Sequence, residues 1–111
     1  MQVEVATYGH PIMNECVHME VVRLPIPAAH ELRNRMGAPY ESKPNLARWA
    51  GVMAIPVPGL SPMRVPFELV VCQRGASIRC HWSHADLVKD IMGRMVPEII
   101  VEQVSQVIRV G

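Results

Sequence analysis

The chain has 111 residues, and half of them are apolar, which suits a single domain with its own hydrophobic core. Its 11 basic and 10 acidic residues nearly balance, so net charge gives no reason to expect an obligate binder of nucleic acid or of anionic membranes. The odd count of three cysteines argues against a disulfide framework, and neither a signal segment nor a membrane-length apolar run is recognisable. We therefore expect a cytoplasmic protein that does not enter a membrane.

The first 24 residues predict two strands. Residues 2–7 begin with alternating polar and apolar side chains, and residues 16–24 are rich in valine, which is typical of strands. Residues 8–15 between them contain Gly9 and Pro11 and predict a loop. We expect the two strands to pair as a hairpin around that loop.

A helix is predicted next, over residues 28–36. Pro27 suits the first turn of a helix, and Gly37 suits its C-terminal cap. Within the helix, Ala28, Leu32 and Met36 recur every four residues and form one apolar stripe.

The middle of the chain gives weaker signals. Residues 38–51 are polar and predict an irregular segment with one helical turn near residues 45–50. Residues 52–57 predict a short strand that their prolines confine to a sheet edge, and residues 58–63 predict a loop.

The clearest local pattern is a hairpin over residues 67–82 with Arg74-Gly75 as its two-residue turn. That turn aligns the apolar residues of both strands on one face, which supports the register. If the Trp82 ring is buried on that face, Trp82→Ala should cost about 3–5 kcal/mol. The expected pairs are Phe67 with Trp82, Leu69 with Cys80, and Val71 with Ile78.

The C-terminal part predicts helical structure. Ser83 and Asp86 resemble a capping box at the start of a helix that runs to about Met95. Residues 97–110 predict either a second helix or a terminal strand, and their dense apolar content favours a homo-oligomer, most simply a dimer. The apolar stripe of the first of these helices consists of Leu87, Val88, Ile91, Met92 and Met95.

Together these patterns predict one α+β domain over residues 1–111. Its expected architecture is a small antiparallel sheet, with two hairpins and about 4–5 strands, packed against two or three helices.

The first candidate site is an interaction surface within residues 33–49. Arginine, tyrosine and tryptophan are the residue types that dominate protein–protein contacts. Basic residues interleaved with aromatics can also hold phosphates and stack bases, so nucleic-acid binding by this segment stays open as an alternative. The residues concerned are Arg33, Arg35, Tyr40, Arg48 and Trp49.

The second candidate site is a metal or enzyme centre formed by Glu68, His81 and His84. Histidine and carboxylate groups are common zinc ligands. Cys80 stands next to His81, but neighbouring residues on a strand point to opposite faces of the sheet, so these two side chains should not converge on one ion. We therefore expect no bound metal and no cofactor.

No phosphate-binding glycine loop, nucleophile elbow or Cys-x-x-Cys pair is present in the sequence. Enzyme activity stays open but is not favoured. The leading hypothesis is a small non-catalytic interaction or accessory protein, of the kind that phages and plasmids use as regulators or inhibitors. Its expected partner is another protein, and homo-oligomers are expected as well.

Overall fold

The computed structural model describes residues 3–13 and 19–95 and contains six strands and two helices in that part of the chain. Together they form a mixed α+β fold, which confirms the predicted class. In chain order the elements are β1 (Glu4–Tyr8), β2 (Met19–Leu24), α1 (Ile26–Met36), β3 (Glu41–Lys43), β4 (Leu46–Ile55), β5 (Met63–Cys72), β6 (Gly75–His81), a single 3₁₀ turn (Trp82–His84) and α2 (Ala85–Met95).

All six strands belong to one sheet, which is larger than predicted. Its order is β1-β4-β5-β6-β2, and β3 pairs with β4 on the same side as β1. Every pairing is antiparallel. The strands β4, β5 and β6 therefore form the middle of the sheet. β1 pairs with β4 at one side, and β2 pairs with β6 at the other.

The predicted hairpin between the first two strands is wrong for the described residues. β1 pairs with β4, so that Glu4 lies opposite Ala54, whereas β2 pairs with β6, so that Met19 lies opposite His81. Alternating side chains indicate that a segment is a strand, but they do not identify its partner. Here both partners lie far along the chain.

The structure also corrects the prediction for residues 38–51. In place of an irregular segment with a helical turn, β3 and the first half of β4 occupy it. β4 continues through the predicted edge strand and is an interior strand, between β1 and β5. Its buried positions Trp49, Gly51 and Met53 do alternate, but a glycine in that series weakens the apolar pattern.

The hairpin of β5 and β6 exists, with a register two residues away from the predicted one. The turn residues are Gln73 and Arg74, and Gly75 follows with a φ of 136°, a conformation that favours glycine. A slip of two residues keeps every side chain on its expected face. The pairs on the apolar face are Phe67 with Cys80, Leu69 with Ile78, and Val71 with Ala76.

This shift removes Trp82 from the hairpin. Trp82 lies in the 3₁₀ turn after β6, and 59% of its surface is exposed. The predicted burial of its ring is therefore wrong, and so is the stability cost that followed from it.

Both helices contribute to one hydrophobic core with the sheet. The predicted stripe of α1 is buried, as are Val88, Ile91 and Met92 of α2. The start of α2 differs from the predicted capping box, because the ring of His81, rather than Ser83, accepts a backbone N–H at the turn before the helix. The core side chains from the sheet include Trp49, Met53, Val65, Phe67, Leu69, Ile78 and Cys80.

Two predictions concern parts of the chain outside the described residues. One is the beginning of the second predicted strand, at residues 16–18, and the other is the apolar segment 97–110 with its proposed role in a homo-oligomer. Within the described ranges, neither helix combines the length and the apolar character needed to cross a membrane.

Candidate functional site

The two faces of the sheet differ in what covers them. One face carries the core residues such as Trp49, Phe67 and Ile78, which pack with the two helices. The opposite face, here called the outer face, carries the alternate residues of the same strands, including Val52, Val70 and Arg79. Among the described residues of β4, β5 and β6, Ala50 is the one outer-face residue that is fully buried. The rest of these positions are half-buried or exposed.

The chain that leaves β1 passes over the outer face. β1 and β2 lie at opposite sides of the sheet, and the connection between them is described from Gly9 to Met13. Pro11 and Met13 of this connection line a cavity of about 240 Å³ together with Arg48, Glu68 and Arg79, which belong to three central strands. Pro11 and Met13 therefore add a wall to a concave site on the outer face of the sheet.

Glu68 is the centre of a polar cluster in this cavity. The Tyr40 hydroxyl donates a hydrogen bond to Glu68 Oε2 at 2.7 Å. Arg48 Nη1 lies 3.3 Å and Arg79 Nη1 lies 3.5 Å from Glu68 Oε1. With a side chain that is 13% exposed, Glu68 is well shielded from water, and three donors compensate for the lost hydration.

The sheet register explains why these four residues meet. Glu68 lies directly opposite Arg79 on β6 and opposite Ala50 on β4. Arg48, two residues before Ala50, is therefore its diagonal neighbour, and all three charged residues are on the outer face. Tyr40 precedes β3, and its backbone N–H donates to the Arg48 carbonyl at 2.9 Å, which fixes its ring beside the cluster. We name these residues, Tyr40, Arg48, Glu68 and Arg79, the Glu68 cluster.

The electrostatics of the Glu68 cluster keep Tyr40 neutral. Burial, followed by the hydrogen bond and the negative charge of Glu68, raises the pKa of Tyr40 to about 12, against an opposing effect of Arg48. A phenol with so high a pKa is a poor proton donor or nucleophile near neutral pH. The cluster is therefore better suited to holding a fixed shape and charge than to proton transfer.

One donor in the cluster has no partner within residues 3–13 and 19–95. The Nε atom of Arg48 is buried and makes no hydrogen bond with any described group. Unsatisfied buried donors are costly and uncommon in folded proteins.

The structure divides the five residues of the first candidate site: Tyr40 and Arg48 meet at the outer face, whereas Arg33 and Trp49 meet on the core side of the sheet. Trp49 is buried in the core with 2% of its surface exposed, and the Arg33 guanidinium lies 5.3 Å from the centre of its ring. Arg35 pairs with Glu31 at 3.2 Å on α1. The segment 33–49 is thus divided, because successive strand residues point to opposite faces of the sheet.

The three residues of the second candidate site are not brought together as one group. Glu68 is occupied by the cluster described above, whereas His81 Nδ1 lies 2.6 Å from Ser83 Oγ. The rings of His81 and His84 have centroids 6.1 Å apart, and His84 Nδ1 is buried and has no hydrogen-bond partner among the residues that the structure describes. Across residues 3–13 and 19–95, no three or more histidine, cysteine or acidic side chains are grouped so that they could hold a metal ion. Cys80 is buried on the core face, opposite to His81, as the strand geometry predicts.

Sequence reasoning missed Arg79 as a partner of Glu68. The predicted register placed His81 opposite Glu68, and the two-residue slip places Arg79 there instead. The signal for the correct pair is Gly75. A turn at Gln73 and Arg74 places this glycine directly after the turn, where it takes a positive φ.

No protein-family model, curated protein or solved structure matches this chain. Its function is therefore inferred from the outer face itself.

Proposed function

We propose that this protein is a non-catalytic interaction protein that binds another protein through the outer face of its sheet. The observation that carries this proposal is the Glu68 cluster, which fixes two arginines and a tyrosine in a concave site between the central strands. Tyrosine and arginine are enriched among the residues that dominate binding energy at protein interfaces. Their mutual contacts hold them in place before binding, which lowers the entropy lost on association.

The surroundings of the cluster suit a protein contact as well. Val52 and Val70 are half-buried outer-face residues on the two central strands, and Val21 of β2 is 57% exposed on the same face. Apolar side chains beside a fixed polar group resemble the mixed composition of protein interfaces. A partner with a matching surface would remove these side chains from water.

The neutral Tyr40 and the fully engaged Glu68 favour binding over catalysis in this site. Glu68 accepts from three donors, so it has little capacity left to act as a base. We place the protein in the cytoplasm, on the basis of its odd cysteine count, and among small accessory proteins such as the regulators and inhibitors of phages or plasmids.

Site-specific photo-crosslinking tests the proposal. A photoreactive amino acid is placed at Val70 on the outer face, or at Lys89 on the exposed side of α2 as a matched control. Irradiation in a lysate of the source cells should give a discrete cross-linked protein from position 70 and not from position 89. Adding Val52→Glu to the position-70 protein should abolish that product. Because Val52 is half-buried on an interior strand, a small loss of stability is expected, and circular dichroism checks that the variant remains folded.

A product of equal intensity from both positions, or one that Val52→Glu leaves unchanged, would contradict contact through the outer face. If the product is a second copy of this chain, the outer face is a homo-oligomer interface. Mass spectrometry of the cross-linked product distinguishes this case from a foreign partner.

A further inference from the structure

We propose that the cavity beside the Glu68 cluster binds one carboxylate group, supplied by an acidic side chain of the partner. This inference rests on the proposed function, because it specifies the chemistry of the partner that the outer face binds. The cavity measures about 240 Å³, several times the volume of one water molecule, roughly 30 Å³ in the liquid. A carboxylate and the methylene group that carries it fit within that space.

Arg48 supplies the geometry for recognising a carboxylate. Its Nη1 is engaged with Glu68, while its Nε is buried and has no partner among the described residues. A guanidinium binds carboxylates through parallel N–H groups, and lysine cannot reproduce that arrangement. The accessible end of this guanidinium is its Nη groups, and the one hydrogen bond described for them is that of Nη1 to Glu68, so a carboxylate in the cavity could accept from Nη2.

Arg79 supplies a second positive charge at the same cavity. Its described ion pair is with Glu68, at 3.5 Å, and 41% of its side chain is exposed. A guanidinium has five N–H groups, so several of them are available beyond the Glu68 contact. A carboxylate in the cavity would therefore lie near both Arg48 and Arg79.

The charge of the site favours a monoanion. Arg48 and Arg79 carry two positive charges against one negative charge on Glu68, and Tyr40 is neutral. Glu41 also lines the cavity, but Lys43 lies 3.3 Å from its carboxylate and balances it. One carboxylate would neutralise the remaining positive charge, whereas a doubly charged phosphate would leave a net negative charge beside Glu68.

The remaining walls are apolar and indicate a carboxylate on an aliphatic stem. Pro11, Met13 and Met19 line the cavity together with the charged residues. Apolar walls exclude water and strengthen ion pairs in the site. Methionine adapts its shape to different neighbours, so these side chains can pack against the methylene groups of an aspartate or glutamate.

Titration of the full chain with sodium acetate tests this inference directly. Two-dimensional ¹H–¹⁵N NMR follows the arginine Nε–H signals, with sodium chloride at equal ionic strength as the baseline. We expect a saturable shift of the Arg48 Nε–H signal and weaker binding of inorganic phosphate. Arg48→Lys should lower acetate affinity at least tenfold, because it keeps the charge and loses the planar guanidinium group.

Two further variants control for misfolding and for general effects of charge. Arg79→Gln removes the second arginine and should also weaken acetate binding at least tenfold. Arg64→Gln removes an exposed arginine from the same face of β5, outside the cavity, and should leave the affinity unchanged. A linear shift without saturation, equal binding by Arg48→Lys, or tighter binding of phosphate would overturn the inference.

The two proposals fail in different ways. If cross-linking from position 70 is specific but acetate does not bind, the outer face is a contact surface and the carboxylate inference is wrong. If acetate binds as expected but cross-linking shows no preference for position 70, the cavity recognises a carboxylate and the proposed function is wrong.

Discussion

The indole N–H of Trp49 donates a hydrogen bond of 2.8 Å to the backbone carbonyl of Gly37. Gly37 follows the last residue of α1, where carbonyl groups lack partners within the helix, and Trp49 lies in β4. The contact therefore joins the end of the helix to an interior strand of the sheet. The Arg33 guanidinium lies 5.3 Å from the centre of the same ring. Trp49 is therefore held by core packing, by a hydrogen bond and by a cation–π contact.

Replacing Trp49 by alanine should strongly destabilise the fold. The ring is 2% exposed, and its removal would leave a cavity and an unpaired carbonyl. We expect a loss of about 3–5 kcal/mol in the free energy of unfolding, measured by urea denaturation. Trp82→Ala is the matched control: because Trp82 is 59% exposed, its change should stay within about 0.5 kcal/mol. Equal losses in the two variants would contradict the assignment of Trp49 as the core tryptophan.

The elements that the sequence predicts well are those whose signals are local. The helix around Leu32, the helix around Ile91 and the β5–β6 hairpin each combine an apolar period with a terminating or turning residue nearby. The pairing of β1 with β4 depends on contacts far along the chain, for which the alternation of a single strand carries no information. The sequence pattern therefore predicts β1 correctly as a strand but pairs it with β2 in place of β4.

The same difference between local signals and long-range contacts applies to the candidate site. Tyr40 and Arg48 belong to a segment whose residue types are typical of contact surfaces, but Glu68 lies 28 and 20 positions away from them. Only the register of β4, β5 and β6 brings the three together with Arg79. A shift of two residues in the β5–β6 register is enough to pair Glu68 with His81 in place of Arg79.

Adding a methyl group at Gly51 should also destabilise the protein. A Cβ atom there would lie 2.8 Å from Phe67 Cζ and 2.9 Å from Met36 Cε, closer than such atoms normally approach. The ring and the thioether would have to move within a packed core, so we expect Gly51→Ala to cost about 1–3 kcal/mol in thermal or urea unfolding.

Gly93→Ala provides the opposite control for that substitution. Gly93 lies in α2 and is exposed, and an added Cβ would have no heavy atom of another described part of the chain within 4 Å. Alanine is the better helix former, so this variant should be stabilised by about 0.5–1 kcal/mol. A stabilising Gly51→Ala would show that the contact between β4 and Phe67 is looser than described.

Cys80 and Cys72 should differ in their reaction with thiol reagents. Cys80 is fully buried on the core face, and burial, with a smaller effect of the nearby Glu20 charge, raises the pKa of its thiol. Cys72 is exposed at the end of β5. We expect iodoacetamide to label Cys72 in the native protein at mildly alkaline pH and to label Cys80 only after denaturation. Peptide mass spectrometry resolves the two sites, and rapid native labelling of Cys80 would contradict its burial.

The last prediction concerns the alkaline stability that Tyr40 contributes. Its pKa is about 12 in the folded protein and about 10 in the unfolded chain, because burial and the Glu68 carboxylate disfavour the phenolate. The folded state therefore holds the proton more tightly, and stability should be lost as pH rises from about 10 to about 12. Tyr40→Phe should remove this pH dependence, measured as the difference in unfolding free energy between the variant and the wild type across that range. In Glu68→Gln, ultraviolet titration should show a lower Tyr40 pKa that still exceeds the unfolded value, since burial persists when the carboxylate charge is gone. An unchanged Tyr40 pKa in Glu68→Gln would contradict the hydrogen bond on which the Glu68 cluster depends.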